Sequence, residues 1–286
     1  KEVIDKFKNE KMDFKTGEGY LYNNSGFFLL GAIIEKVGGK PYAEYVNETI
    51  FKPLGLKNTY YGSHSRIIPN RVDGYKPDKK GFLNADWMSM TLPYAAGSLL
   101  STVDDLYKWD TALHSGKVVS PKSFKLMTTP TKLKNGETRE YGYGLSLNKL
   151  FGEPTVGHGG GINGFSTFGV RVPGKNVFVA VFSNCPGKEP GSQYVAEWIA
   201  GVLCGKDVKE RTAVKLDHKA MDEVVGVYEI KKGEYRTITR EGDQLYSLRT
   251  GSRKLKIYPE SKDLFFYENS FSYFKVVRND KGKVIK

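Results

Sequence analysis

Two short segments carry residue types that do chemistry. The first is Tyr22-Asn23-Asn24. On an extended backbone, residues two apart point the same way, so Tyr22 and Asn24 would offer a phenol and an amide to one cleft. Apolar residues at Phe27, Leu30, Ile34 and Val37 predict a buried helix immediately behind them, ending at Gly38-Gly39. The plainer alternative is that Asn24 or Ser25 only caps that helix and Tyr22 only fills the core. The second segment is Gly157-His158-Gly159-Gly160-Gly161-Ile162-Asn163-Gly164-Phe165. Glycines let a ligand approach the backbone and leave N–H groups accessible. A histidine set among them has little side chain around it to bury it.

Three readings of the second segment compete. Residues 159–164 match G-x-G-x-x-G literally, but a dinucleotide loop needs a helix next, and Phe165–Val172 reads as a strand. His158-Gly-Gly-Gly161 is similar to a lipase oxyanion segment, but the chain has no G-x-S-x-G elbow. The third reading is a sheet-edge strand whose N–H groups face a developing oxyanion. The four histidines, His64, His114, His158 and His218, form no H-x-x-x-H or H-E-x-x-H pair, which argues against a metal hydrolase. No metal and no cofactor is expected.

The elements that must position these segments come from a chain of 286 residues, roughly two domains' worth. Its 39% hydrophobic and 27% charged residues support a sizeable core and exclude a disordered chain. No apolar run approaches the roughly 18–20 residues of a transmembrane helix. Cys185 and Cys204 are too few for a disulfide framework. The net charge of +12 is spread among acidic residues, without a basic block or an RNA-binding motif, so no nucleic-acid partner is expected.

Further elements follow along the chain. A second helix is expected from Tyr42 to Phe51, stopping before Pro53, and residues 55–95 read as a long surface excursion. Thr102-Val-Asp-Asp105 has the form of a capping box ahead of a helix through Val103, Leu106, Trp109 and Leu113. Ser120-Pro121 starts a short helix. Strands are expected at 144–147, 165–172 and 177–183, then a helix over 192–204. Residues 205–216 read as a linker, and short strands from 226 onward predict a small β barrel or sandwich. The chain begins with Lys1 rather than Met, and its last turn leads into a strand cut off at Lys286, so sequence is expected to be missing at both ends.

Taken in order, these segments resemble the serine β-lactamase and penicillin-binding-protein superfamily, in its class C-like branch of D-aminopeptidases, carboxypeptidases and esterases. Tyr22 to Val37 looks like that branch's Tyr-x-Asn motif and helix. Ile50-Phe-Lys-Pro-Leu-Gly-Leu56, Tyr94 to Leu106 and Tyr141-Gly-Tyr-Gly144 are further landmarks. Gly157-His-Gly-Gly160 resembles the third motif, where many members carry His-x-Gly. The likeness runs over residues 13–204, and residues 217–286 resemble an appended lipocalin-like domain.

The resemblance implies an α+β fold, with an antiparallel sheet flanked by helices and a small barrel-like C-terminal domain. The expected division is 1–204, a linker 205–216, and 217–286. The implied function is acyl-enzyme hydrolysis of a β-lactam, a D-amino-acid peptide or an ester. Tyr22 would relay a proton with the family's lysine, and Asn24 would bond the substrate amide or that lysine. His158 would orient Tyr22 or bind a substrate carboxylate. The Gly161 N–H would be an oxyanion donor, with Gly159 and Gly160 keeping the strand edge open. A periplasmic or secreted location and an oligomeric state fit the same family.

The family's nucleophile is the serine of a Ser-x-x-Lys motif upstream of Tyr-x-Asn, and the 21 residues before Tyr22 contain no serine. Ser146-Leu-Asn-Lys149 and Ser272-Tyr-Phe-Lys275 match literally but fall in predicted strands, where residues three apart face oppositely. The chain alone is therefore expected to be inactive, its serine lying upstream. The alternative is a non-catalytic relative that binds ligand in the same pocket.

Overall fold

The computed structural model describes residues 2–187 and 189–285. The chain divides into two compact units, residues 1–206 and 207–286.

The first unit is built on a four-stranded antiparallel sheet, in the order Val177–Ser183, Phe165–Val172, Glu153–Ile162, Ser146–Leu150. The helix Ser192–Leu203 lies along the first two of these strands, with Ala196 and Ala200 fully buried. The helix Val103–His114 meets the face that carries Gly169 and Arg171. There Leu106 packs beside Gly169 and Asp110 pairs with Arg171, whose guanidinium also bonds Asn176.

The helix Asn24–Gly38 starts at Asn23, whose side-chain oxygen accepts the Gly26 N–H at 2.8 Å, and stops at Gly39, in the left-handed region at φ 70°. At Gly31 a side chain would collide with Tyr94 and Ala95, so glycine lets the turn Tyr94–Ala96 press against this helix. The expectation of a buried helix needs correcting. Only Gly31 is fully buried, while Leu30, Ile33 and Val37 are 53%, 55% and 82% exposed. The sequence is apolar on more than one face, and periodicity shows which residues are apolar, not how many faces find a partner.

Two local expectations are also revised. The helix from Tyr42 does not run regularly to Phe51. It is α-helical over Tyr42–Val46, widens into a π turn over Asn47–Phe51, and resumes as Lys52–Leu54 with Pro53 inside it. Pro53 falls directly after the π turn, which the Lys52 N–H closes on the Asn47 carbonyl. The capping box at Thr102 is half of one. Thr102 Oγ1 accepts the Asp105 N–H at 3.3 Å, but the Asp105 carboxylate turns away from the helix start. It accepts from the Asn58 N–H at 2.7 Å, the Thr59 hydroxyl at 3.1 Å and Lys108 Nζ at 2.8 Å. Asp105 thus ties the start of the excursion after Leu56 to the helix.

The second unit is a six-stranded antiparallel meander, running in sequence order from Gly226–Lys231 to Tyr273–Lys275 and curled around one core. Met221, Val224, Ile238, Leu245, Ile257, Phe265 and Val276 form that core. The short helix His218–Asp222, absent from the sequence reading, contributes Met221. Arg211 and Val214 bond Glu260 and Pro259, so this part of the connecting segment belongs with the second unit.

Replacing the fully buried Asp105 with alanine removes the acceptor shared by the Asn58 N–H, the Thr59 hydroxyl and Lys108, and should lower stability by about 3 kcal/mol in urea unfolding. Burial pushes its carboxyl up, but Lys108, the Asn58 N–H and the Thr59 hydroxyl outweigh that and hold it below the ordinary carboxylate value. Its contribution is therefore full at neutral pH, and is lost as pH falls through that depressed value.

Candidate functional site

Asn23 organises the first segment. Besides capping the helix, it donates from Nδ2 to the Leu21 carbonyl at 3.2 Å, fastening the chain on both sides of itself. The cap is therefore neither Asn24 nor Ser25. Asn24 is left with a free amide, and the Tyr22 hydroxyl donates to its Oδ1 at 3.4 Å. Tyr22 is 46% exposed, so it is not a core residue.

The second segment lies in the strand Glu153–Ile162. Its partner Ser146–Leu150 pairs with it only as far as Gly157. From His158 to Ile162 the strand is bonded to Phe165–Val172 on one side and has a free edge on the other. The direction of each N–H follows from the turn. Ile162 and Phe165 flank the two-residue turn Asn163-Gly164, so they exchange ladder bonds. Bonding alternates along an antiparallel strand. Gly160 therefore also bonds inward, whereas the N–H and C=O of Gly161 and Gly159 point out of the free edge.

The glycines differ in what the fold asks of them. A side chain at Gly160 would lie 2.6 Å from Thr167 Oγ1, and one at Gly159 would press on the Phe168 ring at 3.2 Å. At Gly161 nothing lies within 4 Å of where a side chain would sit. Packing does not require glycine there.

His158 is half-buried on this strand, and both ring nitrogens are engaged. Nδ1 lies 2.6 Å from the Gly159 carbonyl and Nε2 lies 3.0 Å from the Tyr141 hydroxyl. A carbonyl only accepts, so Nδ1 carries the proton and, in the neutral ring, Nε2 accepts from Tyr141. Burial, and then the neighbouring Tyr22 and Tyr20, push the Tyr141 phenol up to about 12, so it remains a donor at neutral pH. Tyr20 is raised by the same two causes, burial and then Tyr22. The rings of Tyr22, Tyr141 and His158 form a triangle with centroid separations of 5.8–5.9 Å.

The structure thus brings Tyr22, Asn24 and His158 together beside the glycine edge. It gives His158 Nε2 to Tyr141, however, rather than to Tyr22. Tyr141, in the landmark Tyr141-Gly-Tyr-Gly144, thus has a role that the motif order alone does not assign. The signal was the glycine spacing. A side chain at Gly142 would collide with the Met127 carbonyl, and Gly144 adopts φ 78°. That turn delivers Tyr141 to its bridge with Ser146, next to the strand that carries His158. Among the described residues, no three His, Cys, Asp or Glu side chains are grouped to hold a metal ion.

The sequence profile of the family described as Beta-lactamase matches residues 1–203. The chain belongs to the β-lactamase family. Penicillin-binding protein 4* of Bacillus subtilis (strain 168) is 30% identical to it over 287 residues, covering 93% of this chain and 63% of that protein. Among solved structures, the octameric penicillin-binding protein homologue from Pyrococcus abyssi superposes with a TM-score of 0.66 at 28% identity, over 98% of this chain and 66% of that one. The D-amino acid amidase of Ochrobactrum anthropi SV3, complexed with D-phenylalanine, superposes with a TM-score of 0.55 at 26% identity, over 64% of this chain and 56% of that one. The chain therefore spans about two thirds or less of the length of these relatives. Its antiparallel sheet with flanking helices is the β-lactamase/transpeptidase-like fold, as the motif order implied.

The hydrogen-bond chain at His158 fixes one tautomer. Nitrogen-15 NMR should report the Nδ1–H form at neutral pH, and Tyr141→Phe should shift the Nε2 resonance while leaving the Nδ1 bond to Gly159. A predominant Nε2–H form in the unsubstituted protein would contradict the assignment.

Proposed function

We propose that residues 1–206 form the substrate-facing part of a serine hydrolase that transfers the acyl group of D-amino-acid amides or peptides through an acyl-enzyme. One observation carries this reading. Tyr22 and Asn24 stand side by side, with the Tyr22 hydroxyl 3.4 Å from Asn24 Oδ1, near a strand edge from which the Gly161 N–H points outward. The names of relatives, a penicillin-binding protein and a D-amino acid amidase, support the substrate class.

In this reading the nucleophilic serine and its lysine lie in sequence outside residues 1–286. The two Ser-x-x-Lys matches within the chain fall on Ser146–Leu150 and at the start of Tyr273–Lys275, and a strand turns residues three apart to opposite faces. The serine oxygen bonds to the substrate carbonyl carbon, and the charge developing on the carbonyl oxygen is met by the Gly161 N–H. The serine proton passes through Tyr22 and the lysine to the leaving amine as the C–N bond breaks. Water then attacks the acyl ester by the same route and releases the acid. Asn24 orients the Tyr22 hydroxyl and offers its Nδ2 to the substrate amide. His158, held by Tyr141 and Gly159, braces the ring of Tyr22 and shuttles no proton itself.

A second reading, a pocket that binds ligand without cleaving it, draws on the same placement of Ser146 and Ser272 on strands. The natural gene product discriminates the two. Its Tyr22→Phe variant should lose about 10²–10⁴ in turnover of D-alanine p-nitroanilide, with an unchanged melting temperature because the side chain is half exposed. Near-normal turnover in the variant, or none in the unsubstituted protein, would overturn the catalytic role of Tyr22.

A further inference from the structure

Trp87 is 73% exposed, in a loop whose other residues are fastened. The Ala85 N–H bonds the Gly74 carbonyl at 2.9 Å. The Asp86 carboxylate pairs with Lys76 at 2.6 Å. On the far side, His64 Nε2 lies 2.7 Å from the Met88 carbonyl, and its ring stands 4.8 Å from the Trp87 indole. Met90 is buried, and its carbonyl accepts from the Ser98 hydroxyl. A large apolar ring thus stands exposed beside His64 on a loop held by hydrogen bonds on both sides of it, and a side chain on a braced backbone loses less freedom on binding.

The place where this loop is fastened gives the ring its meaning. Asn163 Nδ2 donates to the Asp86 carbonyl at 3.0 Å. A side chain at Gly164 would lie 2.6 Å from both Ala85 Cβ and Gly74 Cα, so the loop backbone sits directly against the turn that ends the glycine strand. Gly161 is two residues before Asn163, about 7 Å along the strand. The residue after Asp86 is therefore carried by a loop anchored at the turn that ends the Gly161 strand.

We propose that Trp87 is a specificity-determining residue, the wall of a subsite that takes an aromatic or large apolar side chain on the acyl portion of the substrate. The inference rests on the acyl-transfer reading of the Gly161 edge and adds to it the chemistry of the group held there. Indole offers a broad apolar face that prefers stacked or edge-on aromatic partners, and its two stiff torsions limit the entropy lost.

The test is binding of two product-like acids, N-acetyl-D-phenylalanine and N-acetyl-D-alanine, to the chain by titration calorimetry. The phenylalanine derivative should bind about tenfold tighter. Trp87→Ala should remove that difference and Trp87→Tyr should keep most of it, and neither change should unfold the protein, because the ring is exposed. Gly161→Val, which fills open space without a clash, should abolish binding of both acids. Equal affinity for the two acids, or a preference untouched by Trp87→Ala, overturns the role of Trp87; if Gly161→Val still abolishes binding, the edge itself stands. Failure of both acids to bind, or binding that survives Gly161→Val, overturns the subsite together with the reading on which it rests.

Discussion

The site depends on a mismatch in strand length. Glu153–Ile162 is a ten-residue strand and its outer neighbour Ser146–Leu150 has five residues, so among the described residues half of the longer strand has no strand partner on one side. An unpaired edge exposes a row of backbone donors and acceptors and invites aggregation. Here the exposed stretch is short and glycine-rich, with a histidine at its start and a turn pinned by Gly74 and Asn163 at its end. The same donors that make an edge hazardous make it suited to hold a carbonyl oxygen.

The aromatic groups beside that edge restrain one another. Each phenolate would repel a second one nearby, and burial already disfavours charge on Tyr20 and Tyr141. Both remain protonated at neutral pH, which leaves Tyr141 free to hold His158 as a donor. Both nitrogens of His158 are engaged, one with Tyr141 and one with its own strand.

Much of this was legible in the sequence, and the physical reasons for the rest are specific. The helix behind Asn24, the strand Phe165–Val172 and the strands of the second unit follow from local periodicity and turn residues. The resemblance alone pointed to the Gly161 N–H as a donor; its outward direction needed the register, in which the two-residue turn sets the bonding phase of the ladder. Side-chain partners distant in sequence were not legible. Nothing near Tyr141 marks it as the partner of His158, and nothing near Asp105 says that its carboxylate serves Asn58 and Thr59 instead of its own helix. The exposed face of Asn24–Gly38 was missed for a related reason, since an apolar residue does not announce what covers it.

The central claim is that a glycine edge, Tyr22 and Asn24 together serve a serine nucleophile lying outside residues 1–286. It is tested most directly by the intact mass of the natively produced protein before and after a serine-reactive fluorophosphonate, with the modified peptide mapped. The account predicts a single adduct, on a serine outside these residues and followed three positions later by lysine. No adduct at saturating reagent, or an adduct on a serine within the chain such as Ser146, would contradict it.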